Sequence, residues 1–405
     1  MGSGRRDPSL PPRPNWNTMK SRIRSLLAAV GCALASVLAG GDLFSFSRFP
    51  MGVYSSDPHS DRQLETLKAA GFDMIHSYGT SEEKYDTILN QAEKHGLKVM
   101  FNLNRRLVTE EGGLDKMRDV VRRYKTHPAL GFWYLYDEPA KDITPAVLKP
   151  FYDMLREEAP GIKVAIVNCW DETWSKYGHV LDLQMIDIYP VRDAAFPEAQ
   201  IQVVAKFTAA AKKLGKPVMF VPQLCSWKSF AKQLDEKKYD LQALRFPNPA
   251  EMRYMTYGPM TYGLCGLFAY SYYHAIRTGG DPKWFDQVAA PVFREIRAFT
   301  DLVEKPSEPV TFQRPDDGNY LAAFWKGKEG DGYLILANSW PLARPAAQAY
   351  LDGYFERDFD LIPWGATRPG PATLTKSKVS VETGMEPWEV MVWKLQPKTE
   401  AATEK

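Results

Sequence analysis

The chain has 405 residues, a net charge of +2 and 44% hydrophobic residues, enough to bury one large core with a smaller domain beside it. The balanced charge, with no basic block interleaved with aromatics, argues against a nucleic-acid surface. Beyond residue 40 the cysteines are Cys169, Cys225 and Cys265, odd in number and without CxxC spacing. They are expected to be buried thiols, not a zinc site or a disulfide framework, and no metal or cofactor is expected.

At the start of the chain, Lys20, Arg22 and Arg24 precede an apolar run over 26–39 that ends in small residues. This is the order of a secretory signal, with Met19 a possible true start and cleavage expected near Ala39 or Gly40. The run of about 14 residues is too short to span a bilayer comfortably. The expectation is a secreted or periplasmic protein with an extension and signal over 1–40 and no stable membrane insertion after cleavage.

From residue 50 the pattern alternates. Strands are predicted over 51–54, 72–78, 97–102, 131–136, 163–168, 183–189, 217–222 and 264–272, by short apolar runs rich in β-branched and aromatic residues. Helices are predicted over 61–70, 81–95, 114–126, 145–158, 197–214, 249–262 and 284–303. Gly71, Gly96 and Gly215 each stop a helix just before a strand. Eight strands, most followed by a helix, within about 250 residues are the count and length of a (β/α)8 TIM barrel, here over 48–304. The competing doubly wound sheet wants a glycine-rich loop after its first strand, where this chain has Ser55-Ser56-Asp57-Pro58. Five strand-like runs follow, over 320–325, 332–338, 357–362, 378–382 and 388–395, with Gly, Pro and Asp between them. They predict a small C-terminal all-β sandwich over 308–397 and a disordered tail over 398–405.

In a barrel, function gathers where the strands end. Strand four ends in Tyr136-Asp137-Glu138-Pro139. Strand alternation lets only one of Asp137 and Glu138 point into a given cavity. A carboxylic acid at the lip of an apolar strand is desolvated and holds its proton to higher pH. The bland alternative is that one of them caps the next helix. Asp187 alternates with Ile186 and Ile188, which turns it toward the lumen, where it must pair with a base or take part in chemistry. The other strand ends offer Tyr54, His76, Asn102, Asn168, Trp170, Tyr189, Gln223, Trp227, Tyr272 and His274 as candidates to hydrogen-bond or stack on sugar. Each has a plainer reading: His76 as a core histidine, Asn102 as an Asx-turn residue, the tryptophans as core.

With Tyr136-Asp137-Glu138-Pro139, Asp187-Ile188-Tyr189-Pro190 and Gly215-Lys216-Pro217-Val218 in these positions, the chain resembles clan-A-like glycoside hydrolases, as does its run from Arg245 to Tyr272. The resemblance implies a (β/α)8 barrel acting on carbohydrate without a metal. It implies Glu138 as general acid/base, while the strand-seven position of the nucleophilic glutamate reads Gln223. Asp187 is then the second carboxylate, as base or nucleophile, with Asp137 tuning Glu138. A carbohydrate-binding barrel without catalysis and a structural envelope protein are the alternatives.

Overall fold

The computed structural model describes residues 48–55, 59–169, 171–192, 197–234, 240–277, 280–304, 308–309, 320–350, 355–376 and 378–398. The predicted signal segment, Trp170 and the chain beyond residue 398 lie outside the described residues.

Eight parallel strands close in chain order into a barrel. They are β1 Met51–Tyr54, β2 Met74–His76, β3 Lys98–Asn102, β4 Leu130–Asp137, β5 Val164–Val167, β6 Leu183–Asp187, β7 Val218–Val221 and β8 Gly266–Ala269. The helices between and after them are α1 Asp61–Ala69, α2 Glu82–Lys94, α3 Gly113–Tyr124, α4 Pro145–Glu158, α5 Asp171–Tyr177, α6 Pro197–Lys212, α7 Pro249–Met260, α8 Tyr272–Ile276 and α9 Ala290–Leu302. Local chemistry sets these boundaries. Ser60 and Gln63 form a capping box at the start of α1, and Asn248 and Glu251 another at α7, each satisfying two orphan backbone donors. Gly96 and Gly215 take the left-handed conformation, φ 63° and 68°, that turns the chain back to the next strand.

Alternation along each strand splits the core. Val53, Ile75, Val99, Phe101, Trp133, Ile166, Ile186 and Phe220 join the apolar layer under the helices. Their neighbours Tyr54, Met74, His76, Met100, Phe132, Tyr134, Val167, Met185 and Phe268 are buried outside that layer, in the lumen. Gly52 is small because the Phe268 ring fills the lumen beside it: a Cβ there would lie 2.1 Å from that ring.

The second sheet is antiparallel, with strands β9 Glu308–Pro309, β10 Tyr320–Lys326, β11 Gly332–Asn338, β12 Ala347–Tyr350, β13 Phe359–Pro363, β14 Ala372–Leu374, β15 Lys378–Val381 and β16 Val390–Pro397. Their order is β12-β15-β14-β13-β16-β11-β10-β9. The period of two again divides its faces. Ala323, Trp325, Tyr333, Ile335, Ala337, Val390 and Val392 belong to the barrel's core, while Ala322, Leu334, Leu336, Met391, Trp393 and Leu395 pack with Ala349, Leu374 and Val379 in a core of their own. Helix α7 lies between the two layers and is buried from Glu251 to Met260. There Arg253 donates to the Val390 carbonyl at 2.6 Å and pairs with Glu295 at 2.8 Å. Barrel and sheet thus form one compact unit. No helix among the described residues is long and apolar enough to cross a membrane.

Candidate active site

The carboxyl ends of the strands carry a dense group of acids and aromatics. Strand β4 supplies two of the acids. The Asp137 carboxylate accepts a hydrogen bond from the Tyr78 hydroxyl at 3.2 Å and from Tyr134. Burial nevertheless raises its pKa, the two hydroxyls, Arg105 and Lys141 pulling the other way.

Glu138 breaks the strand rule. Its backbone is left-handed, φ 49° and ψ 56°, a conformation that is strained for a residue with a Cβ. Strand alternation therefore ends at Asp137, and the expectation that only one of the two acids can face a cavity does not hold. An oxygen of Glu138, the thiol of Cys169 and an oxygen of Asp187 all lie within 4.8 Å of one another. Asp137 acts on the same group, raising the pKa of Asp187. Glu138 does not cap the following turn, since its side chain makes no capping bond. Its carboxylate instead meets the ammonium of Lys141.

Asp187 ends β6 inside the lumen at 9% exposure. Tyr189 donates to its Oδ2 at a long 3.5 Å, and Oδ1 has no hydrogen-bond partner among the described residues. Burial first, and the Asp137 charge second, push its pKa well above the ordinary carboxylate range. Of the two outcomes expected for this residue, no ion pair is found among the described residues. Cys169 is half-buried, and burial pushes its thiol up to about 12. Glu138, Cys169 and Asp187 are close enough to share a divalent cation, and Lys141 already lies against Glu138.

Aromatic rings wall this cluster. Tyr54 and Tyr134 meet hydroxyl to hydroxyl at 3.2 Å, and Tyr54 lies edge-on to Tyr270. Tyr189 stacks on Tyr270 with centroids 5.3 Å apart and 20° between planes. His274 packs beside Tyr270 and Phe230, and burial lowers its pKa to about 4. Trp227 donates to the Tyr189 carbonyl at 3.1 Å and carries Arg192 over its ring at 4.4 Å. Asn102 donates to the Tyr78 carbonyl at 3.3 Å. Asn168 is 1% exposed, with neither amide atom hydrogen-bonded among the described residues.

Three expected sugar contacts are corrected. Gln223 is wholly buried and clamps backbone: its Oε1 accepts from Val191 N at 2.9 Å, and its Nε2 donates to the carbonyls of Val191 at 2.7 Å and Cys225 at 3.0 Å. It ties the β6 exit to the β7 exit and has no free polar group for a sugar. Tyr272 belongs to α8 and packs edge-on against Phe285, because β8 ends at Ala269 and the chain turns into helix. The ring that faces the acids is Tyr270, two residues earlier. His76 is also fully buried. Its Nδ1 donates to the Met100 carbonyl at 2.9 Å among Tyr54, Tyr78 and Tyr134, and burial lowers its pKa to about 3. It packs as a core histidine among the tyrosines, its Nε2 without a hydrogen-bond partner among the described residues. Tyr270, Lys141 and Arg105 are the site residues that strand-end reasoning missed. The first was hidden by a boundary error, the others by lying in turns beyond the strands.

No family model matches the chain, and no curated protein matches it. Solved structures match along most of its length. One is a family 27 glycoside hydrolase, a β-L-arabinopyranosidase from Geobacillus stearothermophilus, at TM-score 0.58 and 10% identity, covering 88% of this chain and 97% of that one. Another is a family 5 glycoside hydrolase from Bacteroides vulgatus, at TM-score 0.56 and 14% identity, covering 83% and 85%. A third is an α-amylase from Geobacillus thermoleovorans in complex with acarbose, at TM-score 0.54 and 10% identity, covering 84% and 92%. The likeness is one of fold: a (β/α)8 barrel with an all-β domain after it, as in glycoside hydrolases, in keeping with the resemblance that the sequence motifs carry.

Proposed function

We propose that the protein is a glycoside hydrolase that cleaves O-glycosidic bonds with retention of configuration, using Glu138 and Asp187. The observation that carries this reading is the approach of these two carboxyls, from the ends of β4 and β6, to within 4.8 Å in an aromatic-walled mouth. The 4.8 Å bounds the approach of their nearest oxygens, which fits the roughly 5–5.5 Å between carboxyl groups in retaining glycosidases better than the about 6.5–9.5 Å that inverting ones leave for a water.

The environments divide the roles, and they favour the reverse of the roles that the family resemblance implies. Asp187 is buried and faces another acid, and these outweigh the weaker pull of the Lys141 ammonium, so it is the proton holder. Glu138 has an ammonium against it, so it is the anion. Glu138 attacks the anomeric carbon while Asp187 passes its proton to the departing glycosidic oxygen. The glycosyl–Glu138 ester is then cleaved by water, which returns a proton to Asp187. Atoms and charge balance over the two steps with no further reactant. Asp137, bonded to two tyrosines, keeps the Asp187 proton in place by its negative charge. Tyr189 and Tyr270 offer the sugar a face to stack on.

Neutral and acidic glycans and aryl glycosides, offered to the mature protein with Glu138→Gln and Asp187→Asn alongside, test this. Wild type is expected to release sugar and both variants to lose about 10²–10⁴-fold in kcat. Tight glycan binding without release in all three proteins is the outcome expected of a binding barrel. Equal cleavage by all three would remove these two residues from the chemistry.

A further inference from the structure

Lys141 lies outside every element read from the sequence, yet it touches the site twice. The turn Pro139–Lys141 starts at Glu138, and Lys141 N donates to the Glu138 carbonyl at 3.3 Å. That turn brings the side chain back, so its ammonium meets the carboxylate of the same glutamate. Glu138 is thus held from both its backbone and its side chain by one residue. The contact is asymmetric: the lysine side chain is 55% exposed and the glutamate side chain 22%.

An ordinary solvent-exposed pair of this spacing contributes little, about 0–1 kcal/mol, and has no preferred direction. Two features set this one apart. Glu138 is in a left-handed conformation that its residue type does not favour, so some contact must hold the carboxylate where it is. The same ammonium also bears on Asp137, Asp187 and Cys169, the other groups of the cluster. The cation that faces the cluster from another strand exit is Arg105, which acts on Asp137 and lies 6.0 Å over the Tyr136 ring.

We propose that Lys141 is a positioning residue that fixes Glu138 as the anionic partner of Asp187. It acts by orienting and neutralising Glu138 while Asp187 keeps the proton. The inference rests on the hydrolase reading for its kinetic consequence, but not for its electrostatic one.

Two readouts separate the two. The first is the pH profile of kcat/KM for wild type, Lys141→Met and Lys141→Arg on a substrate that wild type cleaves. Lys141→Met is expected to lower kcat by about 10–100-fold with KM within about threefold, and Lys141→Arg to recover most of the loss. Without the cation, the low-pH limb of the Lys141→Met profile moves to higher pH, because the glutamate must lose its proton unaided. An unshifted profile in Lys141→Met, or an arginine variant as damaged as the methionine one, overturns the proposal. The second readout is the carbon-13 signal of the Glu138 carboxyl, assigned by its loss in Glu138→Gln and followed against pH. Its titration is expected to move upward in Lys141→Met even in a protein that cleaves no glycan; an identical titration in both proteins also overturns the proposal.

Discussion

The two ends of the barrel use buried charge in opposite ways. At the amino-terminal end of the strands, Arg297 of α9 spends its whole guanidinium on the fold. It donates to the carbonyls of Gly71 at 2.9 Å and Phe49 at 2.9 Å, and to Asp73 at 2.7 Å. Asp73 in turn accepts from Met51 N at 2.8 Å, the start of β1. At the carboxyl-terminal end, Asp187 and Asn168 are as deeply buried, yet Asp187 Oδ1 and both amide atoms of Asn168 have no partner among the described residues. A satisfied network closes the barrel where the chain begins and ends it. An unsatisfied one is left where a substrate's hydroxyls could complete it. A stable protein tolerates the second because it has the first.

The contrast can be broken most strongly at the mouth. Asp187→Asn should lose activity by about 10²–10⁴-fold and yet raise the melting temperature. The folded-state pKa of Asp187 is raised, so the acid favours folding at pH values below its unfolded pKa. That contribution is lost as pH rises toward the folded value. The amide carries no such loss, so the gain in melting temperature should be larger at pH 8 than at pH 5. Equal melting curves at both would mean that the carboxyl is not buried against another acid.

At the other end, Arg297→Met should do the reverse. Removing one partner of a buried pair leaves Asp73 uncompensated, at a cost of about 3–5 kcal/mol, while kcat per folded molecule stays that of wild type. Urea unfolding followed by circular dichroism measures the first and an assay on the folded fraction the second. A stability change within error would show the network to be dispensable.

A smaller effect comes from the histidines around the mouth. Burial holds His76 at about 3 and His59 and His274 at about 4, all below the ordinary value of 6.5. The unfolded chain then binds more protons than the folded one between these values. Stability is therefore full above pH 6.5 and declines as pH falls toward 4. Melting temperatures across that range should show the decline, and His76→Gln should flatten part of it.

The sequence was a good guide to the barrel and a partial one to its mouth, for physical reasons. The strands β1–β8 are short apolar runs closed by helices that stop at glycines, and both signals are local. Asp187 was legible because its neighbours Ile186 and Ile188 point the other way. What stayed hidden depended on geometry that no local pattern encodes. The left-handed turn of Glu138 breaks a period-two rule with a residue that carries no preference for it. The bonds of Gln223 to Val191 join two strand exits 32 positions apart. Tyr272 and Tyr270 were exchanged because a three-residue shift in the end of β8, from 272 to Ala269, moves a ring from the site to a helix.

The division of labour between Glu138 and Asp187 is tested most directly by trapping the glycosyl–enzyme ester. The protein would be incubated with a set of 2-deoxy-2-fluoro glycosides that carry activated leaving groups, then digested and sequenced by mass spectrometry. The account predicts one added fluoroglycosyl unit on the peptide that contains Glu138. A label on Asp187 in its place, or no label from any sugar the protein hydrolyses, would contradict it.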